Sequence, residues 1–378
     1  MSVYFAVMGL VGGVWMARIP AVKAQAHLSD GTLGAALFAL PVGLVLGSFA
    51  AERLVDRVGS APLVRIGAIG FSGLVITLGL ARNLAELIVP MVVYGAFGGM
   101  YDVAQNAQGV RVEAAYGRPV MTSMHASYSL GAIIGSLAGG ALAWAGVGPL
   151  PALAAGGGTG LVAALATSGW LLPGKGSAHS TQTPAEDGSG TARPVWQVVL
   201  ALGVLAVCGL VVEGAVGDWS AVYLRDDLGT SQGVAALAFA AFSATMTIGR
   251  LAGDRFVHRF GPGRLIRVCG VISTIGLAAA LALRNPAVAI AGFTLLGAGL
   301  SSEVPQVFAA GGRADTERPG SGLAKVVGMG YAGMTAGPAV IGALASAIGL
   351  RLALATLLLL AALIAVGSPA LRWRGSRH

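Results

Sequence analysis

Asp102, Glu213 and Glu303 each stand inside a long apolar stretch of the chain. An ionised carboxylate at membrane depth costs at least ~2.5 kcal/mol on insertion scales, so it is retained for a cavity, a partner or a proton. The spacing around Asp102 is informative. Asp102, Gln105, Asn106 and Gly109 fall at i, i+3, i+4 and i+7, and Tyr94, Gly98 and Tyr101 prolong the same helical face. Such a stripe suits the wall of a water-filled or solute-lined passage, or else a hydrogen-bonded seam between helices. Ser302, Glu303 and Gln306 form a second polar group, and Pro305 removes a backbone donor, which is expected to kink the helix nearby. The alternative for Glu303 is an ion pair with Arg313.

Glu213 lies in "VVEGAVGDWSAVYL", with Gly217 and Ser220 at helical spacing from it. A desolvated carboxyl can load and release a proton near neutral pH, which makes Glu213 the foremost candidate for a proton carrier. An ion pair with Arg18 would hold it charged and remove that role. Asp218 and Trp219 are expected near the outer interface. His125 and Tyr128 are weaker candidates. Trp15 and Arg18 are placed to stack on or pair with a solute, with core packing the competing role for Trp15.

These residues need elements to position them, and the composition says which. Of 378 residues 55% are hydrophobic and 11% charged, against roughly 25% charged in soluble domains. A span of about 20 apolar residues crosses a ~30 Å hydrocarbon core. Such segments fall at about 3–22, 32–52, 62–82, 86–108, 125–147, 150–172, 195–217, 233–254, 265–283, 286–310, 323–347 and 350–371. The first is expected to be a spanning helix rather than a cleaved signal, since "MSVYFAVMGL" has no basic flank. Residues 173–194, "PGKGSAHSTQTPAEDGSGTARP", read as a flexible linker between two groups of six spans.

The Lys and Arg residues divide 18 to 6 between the loops on the linker side and those on the other side. By the positive-inside rule both termini and the linker are expected in the cytoplasm. The net charge of +8 is scattered through short loops, so a nucleic-acid surface is not expected. "GGGTG" at 156–160 follows no strand and lacks a P-loop lysine; no nucleophile elbow or metal-ligand spacing occurs. An enzyme, a metal and an organic cofactor are therefore not expected. Cys208 and Cys269, both in apolar runs, read as packing residues, and Gly131/Gly135/Gly139 and Gly333/Gly337 as close-packing ridges.

Charge also gathers in two blocks. "ERLVDRVG" at 52–59 is echoed by "DRFVHRFG" at 254–261. Laying 47–65 over 249–267, an offset of 202, gives eight identities in nineteen: Gly47, Ala50, Arg53, Val55, Arg57, Gly59, Leu63 and Arg65 recur. "GALA" at 140–143 recurs at 342–345 with the same offset. The halves are repeats, and six spans each makes them parallel.

Twelve spans, a central linker, parallel halves and an acidic-Arg-Gly block after spans two and eight resemble the major facilitator superfamily. "WMARIP", "NAQ" followed by "YGRPVMTSMHASYSLG", and "EGAVGDWSAVYLRD" are distantly similar to its fucose-permease branch. The resemblance implies an all-α membrane protein of two six-helix bundles, 1–172 and 195–378. It also implies secondary active transport of a small molecule by alternating access, with no cofactor and a proton as the expected coupling ion.

The implied cavity is lined by spans one, four, five, seven, ten and eleven. The family's loop motif maps onto Asp56, Arg57 and Gly59. Glu52 stands where it has Gly, Ser60-Ala61 replace its basic pair, and His258 replaces Asp in the second copy. An inner-gate role transfers to Asp56 and Arg57, with Glu52, Arg53, Asp254 and Arg255 as this chain's additions; topology-setting is the alternative for the arginines. Drug or secondary-metabolite export, sugar-like uptake and a non-transporting sensor stay open. The lipid bilayer is the expected partner, and a monomer the expected working unit.

Overall fold

The computed structural model describes residues 1–117, 120–173, 195–314 and 319–371, so most of the expected linker lies outside the described residues. The described residues hold 12 helical spans long and apolar enough to cross a membrane, and no strand.

The first six spans are α1 (Ser2–Gln25), α2 (Asp30–Val58), α3 (Ser60–Leu78), α4 (Leu84–Tyr116), α5 (Met121–Trp144) and α6 (Pro149–Thr167). The second six begin with α7 (Val195–Val222), α8 (Gln232–Phe260) and α9 (Pro262–Ala282). Span ten is divided into α10 (Pro286–Leu300) and α11 (Glu303–Ala314); α12 (Pro319–Ile348) follows, and α13 (Leu350–Ala355) with α14 (Leu357–Gly367) completes the last span. Residues 1, 173, 195 and 371 share one end of the bundle, called here the linker end. The opposite end is the far end.

Lipid offers no hydrophobic drive for helices to pair, so small residues must let backbones approach. That is how each half is held. Gly9 and Gly13 of α1 face the carbonyls of Tyr128 and Ala132 on α5, while Gly131 and Gly135 of α5 face those of Ala6 and Leu10. Gly43, Gly47, Gly95 and Gly99 join α2 to α4 in the same way. In the second half Gly330 and Gly333 of α12 seat Leu210, Val207 and Val211 of α7. The ridges expected in spans five and eleven are present.

Three expectations about elements change. The charged blocks at 52–59 and 254–261 are not loops; they are the last turns of α2 and α8, and only Gly59 and Gly261, at φ +86° and +73°, separate each helix from the next. A positive φ favours glycine, which explains why both blocks end in one. Span ten is broken rather than kinked, at Ser301–Ser302. The reason is Pro305, which denies Ser301 its i+4 donor and crowds its carbonyl. Span seven is also longer than expected. A π-helical turn, Tyr223–Asp227, extends α7 at the far end, so Trp219 is fully buried and Asp218 lies deeper than an interface residue.

Candidate functional site

A cavity of about 480 Å³ lies between the two halves. Its walls come from spans one, four, five, seven, ten and eleven, as expected, with α2, α3 and α8 in addition. Aromatic side chains supply much of the surface: Trp15, Phe71, Tyr94 and Tyr128 on one side, Phe239, Phe242, Phe308 and Tyr331 on the other. Phe71 stacks on Tyr94 with ring centroids 4.4 Å apart, and this fixes the ring facing the cavity.

The polar groups are few. Ser129, Ser243, Thr247 and Asp218 reach the cavity, and so do Glu213 and Arg250. Arg250 Nη2 donates to both Glu213 oxygens, at 3.1 and 3.2 Å, bridging α8 to α7. An ion pair is the alternative role for Glu213, but its partner is Arg250 and not Arg18; the positive-inside count also takes Arg250 as a loop residue, and the structure corrects this. Arg250 belongs to α8, nearly three turns before the helix ends. Arg18 is fully buried away from the cavity, with its Nη2 donating to the Val147 carbonyl at 2.6 Å.

The polar stripe of α4 divides in two. Tyr94 and Gly98 reach the cavity, whereas Asp102, Gln105 and Asn106 are not part of its wall. They bond locally: Asn106 Nδ2 donates to Asp102 Oδ1 at 3.1 Å and to its carbonyl at 2.9 Å, and Gln105 Nε2 lies 2.9 Å from Met8 Sδ. The hydrogen-bonded seam is the better description of these three. His125 packs edge-on to Phe5 with centroids 4.9 Å apart, outside the wall; Tyr128, one turn on, belongs to it. In span ten, Val304 and Phe308 face the cavity while Glu303 and Gln306 do not. Glu303 is wholly buried, and neither oxygen has a hydrogen-bond partner among the described residues. The side chain of Arg313, the partner in the alternative reading of Glu303, lies outside the described residues.

The cavity is sealed at the far end by direct contact between the halves. Gly31 and Gly34 of α2 meet Ser346 and Gly342 of α12, and Gly140 and Trp144 of α5 meet Ala236 and Gly233 of α8. An ion pair crosses the same seam. Lys23 at the end of α1 reaches Asp30 of its own half and Asp226 of the other, each at 2.5 Å. No residue pattern marks this latch in advance, because a lysine and two aspartates near short loops look like ordinary interface charge. Of the expected gate, Arg53, Arg57 and Arg255 are exposed at the linker end. The side chains of Glu52, Asp56 and Asp254 lie outside the described residues.

Two halves, a cavity at their seam and contacts that close its far end form the frame of an alternating-access carrier. The comparisons decide its family. The sequence model of the Major Facilitator Superfamily matches residues 1–312 and 219–377. The chain belongs to the Major Facilitator Superfamily. Over 97% of its length it is 34% identical to an uncharacterized transporter, y4wD, of Sinorhizobium fredii, covering 96% of that protein. It is 33% identical, over 97% of its length and 93% of the relative's, to an uncharacterized MFS-type transporter of Yersinia pestis.

Among solved structures, a point mutant of the nucleoside transporter NupG superposes with a TM-score of 0.74 at 11% identity, with 98% of each chain covered. A bacterial homolog of the human lysosomal transporter Spinster gives 0.72 at 15% identity, covering 99% of this chain and 98% of the other. As a member of this superfamily, the multi-pass protein is a secondary transporter of small molecules that works by alternating access.

Proposed function

We propose that this carrier moves a small polar solute with a flat or cyclic body, coupled to protons, across a bacterial cytoplasmic membrane. The observation that carries this reading is the Glu213–Arg250 pair in an otherwise aromatic cavity. About 480 Å³ falls within the 300–1,000 Å³ typical of small-molecule sites. Aromatic faces would hold the body of the solute, and the pair with Ser129, Ser243 and Thr247 would match its hydroxyl or charged groups. A lipophilic drug would leave those groups unpaired, and burying an ion pair without polar partners is unfavourable. Both Glu213 oxygens are engaged by Arg250, so the role assigned to the pair here is to anchor the solute, and the proton is assigned elsewhere.

The excess of Lys and Arg at the linker end over the far end supports a cytoplasmic linker and termini. The sealed far end is then the outer gate, with Lys23–Asp226 as its latch, and Asp56, Arg57, Glu52, Arg53, Asp254 and Arg255 are the groups available to close the inner end. One copy of the chain contains both halves and the whole cavity, which supports a working monomer.

Thermal unfolding of the purified protein against a panel of sugars, nucleosides, amino acids and antibiotics tests the reading. A ligand at 100 times its Kd adds ~2.7 kcal/mol. A saturable shift from a polar solute, lost in Arg250→Ala, is expected. Shifts confined to lipophilic antibiotics would overturn the reading in favour of export, and a ligand that binds but shows no flux in liposomes would make the protein a sensor.

A further inference from the structure

Glu303 belongs neither to the cavity wall nor to the Glu213–Arg250 pair. It packs against the backbone of α7, so closely that a β-carbon on Gly209 would collide with its Oε2. Around it, α7 contributes the Cys208 thiol and α9 the Cys269 thiol. Glu213, one turn beyond Gly209, is the charged group among the described residues whose field reaches it. The backbone just before it is interrupted at Ser301–Ser302, and the residues after it on the same short helix, Val304 and Phe308, form part of the cavity wall. One face of α11 therefore holds a buried carboxyl with no hydrogen-bond partner among the described residues, and another touches the solute space.

A bare carboxylate without partners in such a place costs far more than a neutral polar group, and the group neutralises instead. We propose that Glu303 is a proton-binding site separate from the solute cavity, and that it carries its proton in this conformation. When α11 draws away from α7, water reaches the carboxyl. A hydronium then gives one proton to a carboxylate oxygen and leaves as water; the reverse step releases it. The neutral acid packs on Gly209, while the ionised form requires the hydrated, separated arrangement. The break at Ser301–Ser302 lets α11 move without dragging α10. This deepens the transporter reading and rests on it for the use made of the proton, but occupancy of the site can be read without any substrate.

The test is infrared difference spectroscopy of the full chain in lipid nanodiscs at pH 7, wild type against E303Q, in H₂O and D₂O. Glutamine is close in shape to protonated glutamate, so the variant is expected to fold. The wild type should show a protonated-acid C=O band, shifted in D₂O, that E303Q lacks and that Glu213→Gln retains. In Glu303→Asp an acid band should persist at a changed position. Identical acid bands in wild type and E303Q would overturn the proposal. So would loss of a carboxylate band instead, which means an ionised Glu303 held by a cation such as sodium. If the acid band behaves as expected while solute flux ignores a pH gradient, the proton site stands and the coupling reading falls.

Discussion

The Lys23 latch supports a calculation. Lys23 and Asp30 sit on α1 and α2 of one half, so their pair survives whichever way the halves lean. Lys23 and Asp226 sit on opposite halves and meet only when the far end is shut. Asp226→Asn therefore removes a conformation-specific interaction and leaves Lys23 its other partner. Asp226 is 40% exposed and Lys23 13%, and ion pairs in such wet surroundings contribute ~0.2–1 kcal/mol. At the upper end, loss of the pair lowers the closed-to-open ratio of the far end about fivefold.

Lys23→Gln should do more, because it also leaves Asp30 and Asp226 facing each other across the seam without a cation. Spin labels at the exposed far-end positions Ala145 and Leu283, one in each half, would report the populations as two distances. A double-mutant cycle should give a coupling of about 1 kcal/mol between Lys23 and Asp226. If Asp226→Asn has the same effect with and without Lys23, the latch reasoning is refuted.

Other consequences follow from the packing and the cavity. In Gly34→Val a β-carbon would lie 2.7 Å from Gly342 Cα and from the Pro338 carbonyl oxygen, so the far end should no longer close, and the same labels should show only the longer distance. Gly135→Val sits at a seam within one half, so it should destabilise both conformations, by about 1–3 kcal/mol or more, read as a lower unfolding temperature with unchanged label distances. Glu213→Gln leaves Arg250 without its partner in the cavity. It should cost tenfold or more in affinity for any polar solute found by thermal shift, on the order of 1.4 kcal/mol for each factor of ten, with far-end distances unaltered.

Much of the architecture could be read from residue types alone. Twelve apolar runs, the echo at an offset of 202 and the glycine ridges depend on local spacing, and lipid imposes that spacing directly. The site was less legible, for two physical reasons. Periodicity gives the face of a helix but not its neighbour. The stripe through Tyr94, Asp102 and Asn106 is one face, yet its upper part meets the cavity and its lower part meets Met8 and its own backbone. Charge partners across helices also carry no local signature. Arg250 lies 37 residues from Glu213, at a helix end that resembles any positive loop. Glu303 was visible as a buried carboxylate near Pro305, but only the packing against Gly209 shows that it faces away from the cavity.

The central claim is that one cavity opens to the two sides in turn. A single cysteine at Ser243, with Cys208 and Cys269 replaced by alanine, puts a probe on the cavity wall. An impermeant maleimide applied to right-side-out and inside-out vesicles reads which side reaches it. With the native seam, labelling from the linker side should dominate. Adding Gly34→Val should transfer labelling to the far side and suppress it from the linker side. Labelling from the linker side that Gly34→Val leaves unchanged, or equal labelling from both sides in both backgrounds, would contradict alternating access through this cavity.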